Sequence, residues 1–238
     1  MVTEMQTAKI LLRDRIRNIN IINFIKNYPP CDIILEGNSI LVRGISDRPW
    51  VYISSITKTG FSSIIRHLAP DDTCFAILED WMLPLLTKNK ETVWSLSCDK
   101  LYLPDSTQVS PISANIRDLS VDDTDYIYTH YMYKTLTSPE YISERIQHGA
   151  ALGIDVNNTL AAWMITHDDG AMGFLEVLPE YRRRGFGRAL TAAMISRLRQ
   201  QKTLPFVHIE SDNIPSLQLA KQFGFIFDRR IHWIELAG

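Results

Sequence analysis

The segment PEYRRRGFGRAL, residues 179–190, most constrains how this 238-residue chain can fold. It places four arginines and two glycines directly before an apolar helical pattern in which Leu190, Met194 and Leu198 are four residues apart. The preceding run AMGFLEVLP is typical of a β-strand that ends at Pro179. The sequence therefore predicts a strand-to-helix junction with a strongly positive loop.

Such a junction can bind an anion, because the first backbone N–H groups of a helix lack partners within it and the helix dipole favours negative charge there. Gly185 and Gly187 allow a ligand to approach the backbone. Four side chains can add charge-assisted hydrogen bonds: Arg182, Arg183, Arg184 and Arg188. We expect a pyrophosphate-binding loop. A solvated turn and an RG-type nucleic-acid patch are the alternatives.

The composition favours the small anionic ligand. The formal net charge is −2 and the isoelectric point is about 6.3, whereas proteins that coat nucleic acid or anionic membranes usually carry a clear basic excess. Apolar residues make up 45% of the chain and charged residues 22%, which indicates a soluble protein with a buried core. We therefore expect neither a nucleic-acid partner nor a membrane partner.

Other sequence features argue against disulfide-rich, metal-binding, secreted and membrane-spanning proteins. Three scattered cysteines fit neither a disulfide framework nor a CxxC metal site, and the six histidines show no paired-ligand spacing. The N-terminus lacks the apolar run of a signal peptide, and the most apolar stretch, CFAILEDWMLPLL, is too short and too charged to span a membrane. We expect a cytoplasmic protein without a structural metal.

The segment LYLPDSTQVSPIS, residues 101–113, predicts a domain boundary because it combines prolines with a polar run. Before it, residues 1–105 are expected to form an α/β domain of packing or acceptor-shaping function. Helical patterns there are RDRIRNINIINFIKNY, TGFSSIIRHL and EDWMLPLLTKN, the last with a break at Pro84, and strand patterns are SILVRGI, WVYISSI and ETVWSLSCDKLYL.

After the boundary, residues 112–238 predict the order β-α-α-β-β-β-α-β-α-β. A helix is expected over DDTDYIYTHYMY, and Ser138 and Asn213 are expected to cap later helices. Asp168 and Asp169 lie in the turn HDDG, where turn chemistry is sufficient to explain them. The fold class is α/β (α+β), with a mixed, mostly antiparallel sheet flanked by helices.

Comparison of the loop with known phosphate cradles identifies a family resemblance. A Walker A motif is absent, and Leu190 occupies the third glycine position of a dinucleotide-binding fingerprint. Arg182-x-x-Gly185-x-Gly187 fits [RQ]xxGx[GA], the acetyl-CoA pyrophosphate signature of the GNAT (GCN5-related) N-acetyltransferase superfamily. LEVLPEYRRRGFGRALTAAM resembles that family's strand 4, loop and helix 3, and HIESDNIPSLQLAKQFGF resembles its second conserved segment.

The resemblance covers residues 112–236 and is greatest to the glycine N-acyltransferase-like and FR47-like branch, through LPEYR and PFVHIESDN. In that branch the N-terminal region is itself a degenerate GNAT-like half. The resemblance implies an N-acyltransferase that moves an acyl group from acetyl-CoA, or another acyl-CoA, to a primary amine of a small molecule or amino acid. The expected protein is a monomer or homodimer. The alternative is a non-catalytic acyl-CoA-binding or regulatory module.

The resemblance also assigns site residues. Those expected to contact the acyl-CoA are Leu175, Val177, Arg182, Arg183, Arg184, Gly185, Phe186, Gly187, Arg188, Asn213 and Ser216. A backbone N–H at Val177 or its neighbour would face the developing oxyanion.

The catalytic end of the site departs from the family pattern. Ala171 occupies the usual position of a strand-4 glutamate base, and Ala220 that of a helix-4 tyrosine acid. His208 is the expected base, with Glu210 as orienter or alternative, since residues two apart on a strand share a face. The alternative for His208 is a satisfied polar group beside the cleft. Glu176 is expected to line the acceptor channel, with a solvated strand residue as the alternative. Of the tyrosines at 126, 128, 131 and 133, most are expected to pack in the core and one to reach the cleft.

Overall fold

The computed structural model describes residues 2–238, which form two compact units. The first unit comprises the chain up to Lys100 together with Ile209–Asp212 and Phe227–Gly238. The second unit comprises Leu101–His208 and Asn213–Ile226.

Eight α-helices are described between residues 2 and 238: α1 Val2–Leu11, α2 Arg15–Asn27, α3 Lys58–Ile64, α4 Leu83–Leu86, α5 Thr124–His130, α6 Pro139–His148, α7 Phe186–Gln200 and α8 Ile214–Gln222. The strands over the same range are β1 Asp32–Glu36, β2 Ser39–Ile45, β3 Pro49–Ser54, β4 Cys74–Leu78, β5 Thr92–Tyr102, β6 Ile116–Asp118, β7 Ala151–Val156, β8 Thr159–Thr166, β9 Met172–Val177, β10 Phe206–Ile209 and β11 Ile226–Leu236.

The same order of elements occurs twice along the chain. Two helices (α1 and α2, or α5 and α6) precede an antiparallel three-stranded meander (β1–β3, or β7–β9). A helix (α3 or α7) then leads to a strand that runs parallel to the last meander strand, β4 beside β3 and β10 beside β9. A shorter helix (α4 or α8) and an 11-residue strand (β5 or β11) follow. The architecture is therefore an internal repeat.

Within the first unit the strand order is β1-β2-β3-β4-β11-β5. Consecutive residues of β2 are buried on opposite faces of this sheet: Ile40 and Val42 pack with Leu11 and Phe24, and Leu41 packs in a separate cluster that includes α3. Helices therefore cover both faces, as expected for strands that are apolar at every position.

Within the second unit the strand order is β10-β9-β8-β7-β6. One core contains Ile127 and Ile142, from α5 and α6, with Trp163 and Phe174 from the sheet. Helix α7 is amphipathic, and its apolar side, which includes Leu190, Met194 and Leu198, is buried.

The predicted order of elements in residues 112–238 is confirmed. Two caps are confirmed as well: the Ser138 hydroxyl accepts a hydrogen bond from Tyr141 N, and Asn213 Oδ1 accepts one from Ser216 N. Strand β11 lies with the first unit by its contacts. The boundary of the two functional domains stays a prediction.

Two local predictions are wrong, and one strand, β4, was not predicted. The helix expected through residue 133 ends at His130, so Tyr131–Tyr133 lie in the following loop. Pro84 lies in the first turn of α4, where its missing N–H is harmless, and does not break a longer helix. Strand β4 was expected only as an apolar stretch, because a strand buried on both faces shows no alternation. No helix in residues 2–238 is long and apolar enough to cross a bilayer.

Candidate active site

The loop between β9 and α7 exposes the start of the helix. Gly185 is the N-cap residue with a φ of 83°, and no side chain accepts a hydrogen bond from the first turn of α7. Nothing lies within 4 Å of a Cβ built at Gly185, so its left-handed backbone is what favours glycine there. A Cβ at Gly187 would lie in ordinary contact, 3.8 Å from Val177 Cγ2. Packing therefore does not require glycine at 187.

The four arginines of this loop fall into two pairs. Arg182 donates through Nε to Val177 O (3.0 Å) and pairs through Nη2 with Glu176 Oε1 (3.3 Å). Arg184 donates to Glu180 O (3.1 Å), and its guanidinium carbon lies 5.3 Å from the centroid of the Tyr181 ring. Arg182 thus ties the loop to the end of β9, and Arg184 makes its contacts within the loop.

The second pair is available to a ligand. Arg183 and Arg188 are exposed, and neither side chain has a hydrogen-bond or ion-pair partner in the described part of the chain. Arg183 has a φ of 64°, an uncommon left-handed conformation for a residue with a side chain. The loop therefore presents two unpaired guanidinium groups beside uncapped backbone N–H groups.

Strand β9 carries a β-bulge before this loop. Trp163 pairs with Glu176 and Ile165 pairs with Gly173, so one residue of β8 opposes both Phe174 and Leu175. Phe174 has a φ of 49°. A bulge bends the strand and leaves its extra residue out of the ladder, and this one adjoins Glu176 and Val177, where the sequence predicts the oxyanion contact.

His208 lies directly after the point where β9 and β10 pair. Their parallel register joins Met172 to Val207, and residues 173–177 of β9 extend beyond it. His208 Nε2 lies 3.9 Å from Asp169 Oδ2, and the two side chains are only 7% and 3% exposed. Sequence reasoning missed Asp169 as a partner of His208, although its turn role is present, since Asp169 Oδ1 accepts a hydrogen bond from Ala171 N (3.0 Å).

Glu210 does not share a strand face with His208, because β10 ends at Ile209. The predicted same-face pairing of these two side chains is therefore wrong, and their catalytic roles stay predictions. Glu210 belongs to the first unit, where burial raises the pKa of the Cys98 thiol to about 12 and the charges of Glu210 and Asp99 add to this shift.

Glu176 is buried and bonded. One carboxylate oxygen pairs with Arg182, and the other accepts a long hydrogen bond from Met132 N (3.4 Å) in the loop after α5. The alternative of a solvated strand residue is therefore wrong for Glu176, and its expected place on the acceptor channel stays a prediction. Glu176 joins the loop between β9 and α7 to the segment that follows α5.

Helix α8 begins beside a tyrosine from that same segment. Asn213 caps the helix through Oδ1 and donates through Nδ2 to the Tyr133 hydroxyl (3.4 Å). Ser216, the other predicted contact on α8, supplies the N–H that Asn213 caps. Tyr126, Tyr128 and Tyr131 pack against the core of the second unit. Ala220 is buried, and no cluster of three or more metal-ligating side chains occurs among residues 2–238.

Comparisons with known proteins agree with this geometry. Residues 149–234 match the family model of the FR47-like proteins. No curated protein sequence matches the chain significantly. Many solved structures are similar in fold, and each of the three described next spans most of both chains.

The first is a Drosophila protein solved by X-ray crystallography, 18% identical with a TM-score of 0.76 over 92% of this chain and 89% of that one. The second is a GCN5-related N-acetyltransferase from Kribbella flavida, 13% identical with a TM-score of 0.62 over 94% and 95%. The third is a tandem GNAT protein from the clavulanic acid biosynthesis pathway, 13% identical with a TM-score of 0.52 over 93% and 88%. Residues 149–234 are thus similar to the FR47-like proteins, and the chain shares the fold of these solved structures, in agreement with the fold class that its sequence predicts.

Proposed function

We propose that the protein is an N-acyltransferase that transfers the acyl group of acetyl-CoA, or of another acyl-CoA, to the primary amine of a small molecule or amino acid. The uncapped start of α7 beside the unpaired Arg183 and Arg188 carries the proposal. Backbone N–H groups and arginines together are the donors that a pyrophosphate needs. The FR47-like match over residues 149–234 supports the same ligand.

The residues of the second unit can support direct attack of the amine on the thioester. Backbone donors at the bulge around Leu175 and Val177 would stabilise the oxyanion. His208 is the proposed base, because a neutral amine is needed for attack and an imidazole can accept its proton. The thiolate can leave without a side-chain acid at Ala220, since a thiol has a pKa of only ~8.5.

The first unit has the same order of elements but a closed junction at the equivalent place, between β3 and α3. The Thr57 hydroxyl accepts a hydrogen bond from Gly60 N and caps α3. A Cβ at Gly60 would lie 2.6 Å from Ser39 Oγ, so hydroxyl groups already fill this space. We propose that this unit derives from a GNAT-like half that no longer binds acyl-CoA. The similarity to a tandem GNAT protein supports this proposal.

A cytoplasmic location is also part of the proposal. Cys74 and Cys98 are buried free thiols and Cys31 is an exposed one, which supports a reducing compartment such as the cytoplasm.

The absence of the usual carboxylate and hydroxyl at Ala171 and Ala220 favours a second candidate function, a non-catalytic acyl-CoA-binding module.

Thiol release separates the two functions. Acetyl-CoA is incubated with the protein and a panel of amines and amino acids, and free CoA is measured with a thiol reagent after removal of the protein. An N-acyltransferase releases CoA only when an accepted amine is present. Measurable acetyl-CoA binding without release for any amine identifies the binding module. Binding of an oligonucleotide, with no thermal shift from acetyl-CoA, would contradict both.

A further inference from the structure

We propose that Asp169 is a positioning residue for His208: its carboxylate holds the imidazole proton on Nε2 and leaves Nδ1 to take the proton of the acceptor amine. This inference rests on the proposed acyltransferase function and deepens it. It assigns a role to a carboxylate that lies two residues before Ala171.

The turn between β8 and β9 fixes the direction of the Asp169 carboxylate. Gly170 N donates to His167 O (2.9 Å) and His167 N donates to Ala171 O (2.8 Å), which closes the turn. Gly170 has a φ of 82°. Because Asp169 Oδ1 accepts a hydrogen bond from Ala171 N, the second oxygen, Oδ2, is the one directed at His208 Nε2.

Burial allows the Asp169 carboxylate and the His208 imidazole to attract each other across 3.9 Å, a separation longer than a direct hydrogen bond. Both side chains are almost excluded from water, so the attraction between the carboxylate and a nearby imidazole N–H is screened less than on the surface. Catalytic contacts are often long without a ligand and shorten when the substrate binds. The arrangement therefore favours the Nε2–H form of His208.

The carboxylate then assists one proton transfer. The acceptor nitrogen forms a bond to the acyl carbon, the C–S bond breaks, and CoA leaves as a thiolate. The proton of the acceptor nitrogen passes to His208 Nδ1, which gives an imidazolium paired with Asp169. The imidazolium later releases the proton to water, so the enzyme returns to its starting state.

Two substitutions separate this role from the turn. Asp169→Asn keeps an oxygen that can accept from Ala171 N but removes the charge that faces His208. Asp168→Asn makes the same change at the neighbouring carboxylate, whose Oδ1 accepts from Asp169 N (2.9 Å). We expect Asp169→Asn to lower kcat by about 10-fold or more, with KM and Kd for acetyl-CoA within about twofold of wild type. Asp168→Asn should keep wild-type kcat.

The double variant tests whether Asp169 acts through His208. In the His208→Ala background, Asp169→Asn should cause no further loss of kcat, because residues that act as a unit are not additive. A wild-type kcat for Asp169→Asn, or an equal additional loss in the double variant, would overturn the proposal.

Nuclear magnetic resonance of the ¹⁵N-labelled imidazole tests the same contact without turnover. Wild-type protein should show His208 protonated on Nε2, and Asp169→Asn should shift the ring toward the Nδ1–H form. A wild-type ring protonated on Nδ1, or the same tautomer in both proteins, would refute the role of Asp169. If wild-type protein shows His208 protonated on Nε2 but releases no CoA with any amine, that result would contradict the acyltransferase function and not the contact of Asp169 with His208. The wild-type spectrum decides the assignment even where Asp169→Asn is poorly folded.

Discussion

At the scale of single residues, neighbours of one type have different roles. Among the loop arginines, Arg182 bonds to the end of β9 and Arg184 to a carbonyl of the loop, whereas the side chains of Arg183 and Arg188 have no partner in the described part of the chain. The two loop glycines differ as well: Gly185 is required by its backbone conformation, and Gly187 is not required by packing. These differences depend on geometry that composition alone does not contain.

Substitution of Gly185 by alanine should destabilise the protein. At a φ of 83° a Cβ is strained, and the cost is roughly 1–2 kcal/mol, which should lower the Tm by several degrees. Gly187→Ala is the matched control, because its Cβ enters ordinary contact in a helical turn. Thermal unfolding followed by circular dichroism checks both variants. Equal Tm values for Gly185→Ala and wild type would contradict the strained conformation.

Only part of the candidate site could be predicted from the sequence. The anion-binding loop could be predicted, because its glycines, charges and helix start are contiguous. The link between His208 and Asp169 could not, because it joins β10 to a turn distant in sequence, and the turn alone accounts for Asp169. The same-face pairing of Glu210 with His208 was predicted wrongly, because strand alternation was extended past the end of β10.

At the scale of elements, ion pairs and caps fix how each element begins. Arg117 on β6 donates to both oxygens of Asp123 (2.8 Å each) and also pairs with Asp155 on β7. The Asp123 carboxylate accepts from Ser120 N (2.8 Å) as part of a capping box before α5. The pKa of Asp123 lies below its ordinary value, chiefly because Arg117 donates hydrogen bonds to the carboxylate. Hydrogen bonds from Ser120 add to this shift, and partial burial opposes it.

Substitution of Asp123 by asparagine should therefore have a pH-dependent effect. A lowered pKa in the folded state means that ionised Asp123 stabilises the fold above about pH 4, and this stability is lost as the pH falls through the folded-state pKa. Asp123→Asn should cost about 1 kcal/mol near neutral pH, with the exposure of Arg117 taken into account. The difference from wild type should shrink below about pH 4.

Denaturant unfolding at pH 7 and pH 3.5 measures the difference, and Asp122→Asn is the control, since Asp122 is exposed in the same turn. A loss of stability for Asp123→Asn that is the same at both pH values would contradict the ionic role of Asp123.

How well an element can be predicted depends on whether its sequence signature is local. Caps such as Ser138 have a local signature, whereas β4 is a short apolar run without periodicity.

At the scale of the whole molecule, the chain repeats one order of elements, but sequence similarity between the halves is not apparent. Burial patterns tolerate many apolar exchanges, so the order of helices and strands persists after residue identity is lost. The two junctions that follow each meander have diverged in chemistry. Thr57 caps α3 with its own side chain, whereas Gly185 leaves α7 uncapped.

This asymmetry predicts the binding stoichiometry. Only the junction in the second unit leaves backbone donors open, so isothermal titration calorimetry should give about one acetyl-CoA per chain. The control is Thr57→Ser, which keeps a hydroxyl cap on α3 in the first unit's junction and should leave the stoichiometry unchanged. Two equivalent sites per chain would contradict the proposed loss of binding in the first unit.

The most direct test of the central claim is the affinity of loop variants for acetyl-CoA, measured by calorimetry. Arg183→Glu and Arg188→Glu should each weaken binding by roughly 10-fold or more, since each removes a charge-assisted contact and adds repulsion. Arg15→Glu, the same charge change at an exposed position of the first unit, should bind like wild type. Unchanged affinity in both loop variants, or no acetyl-CoA binding to wild type, would contradict the claim that this strand-to-helix junction holds the acyl-CoA.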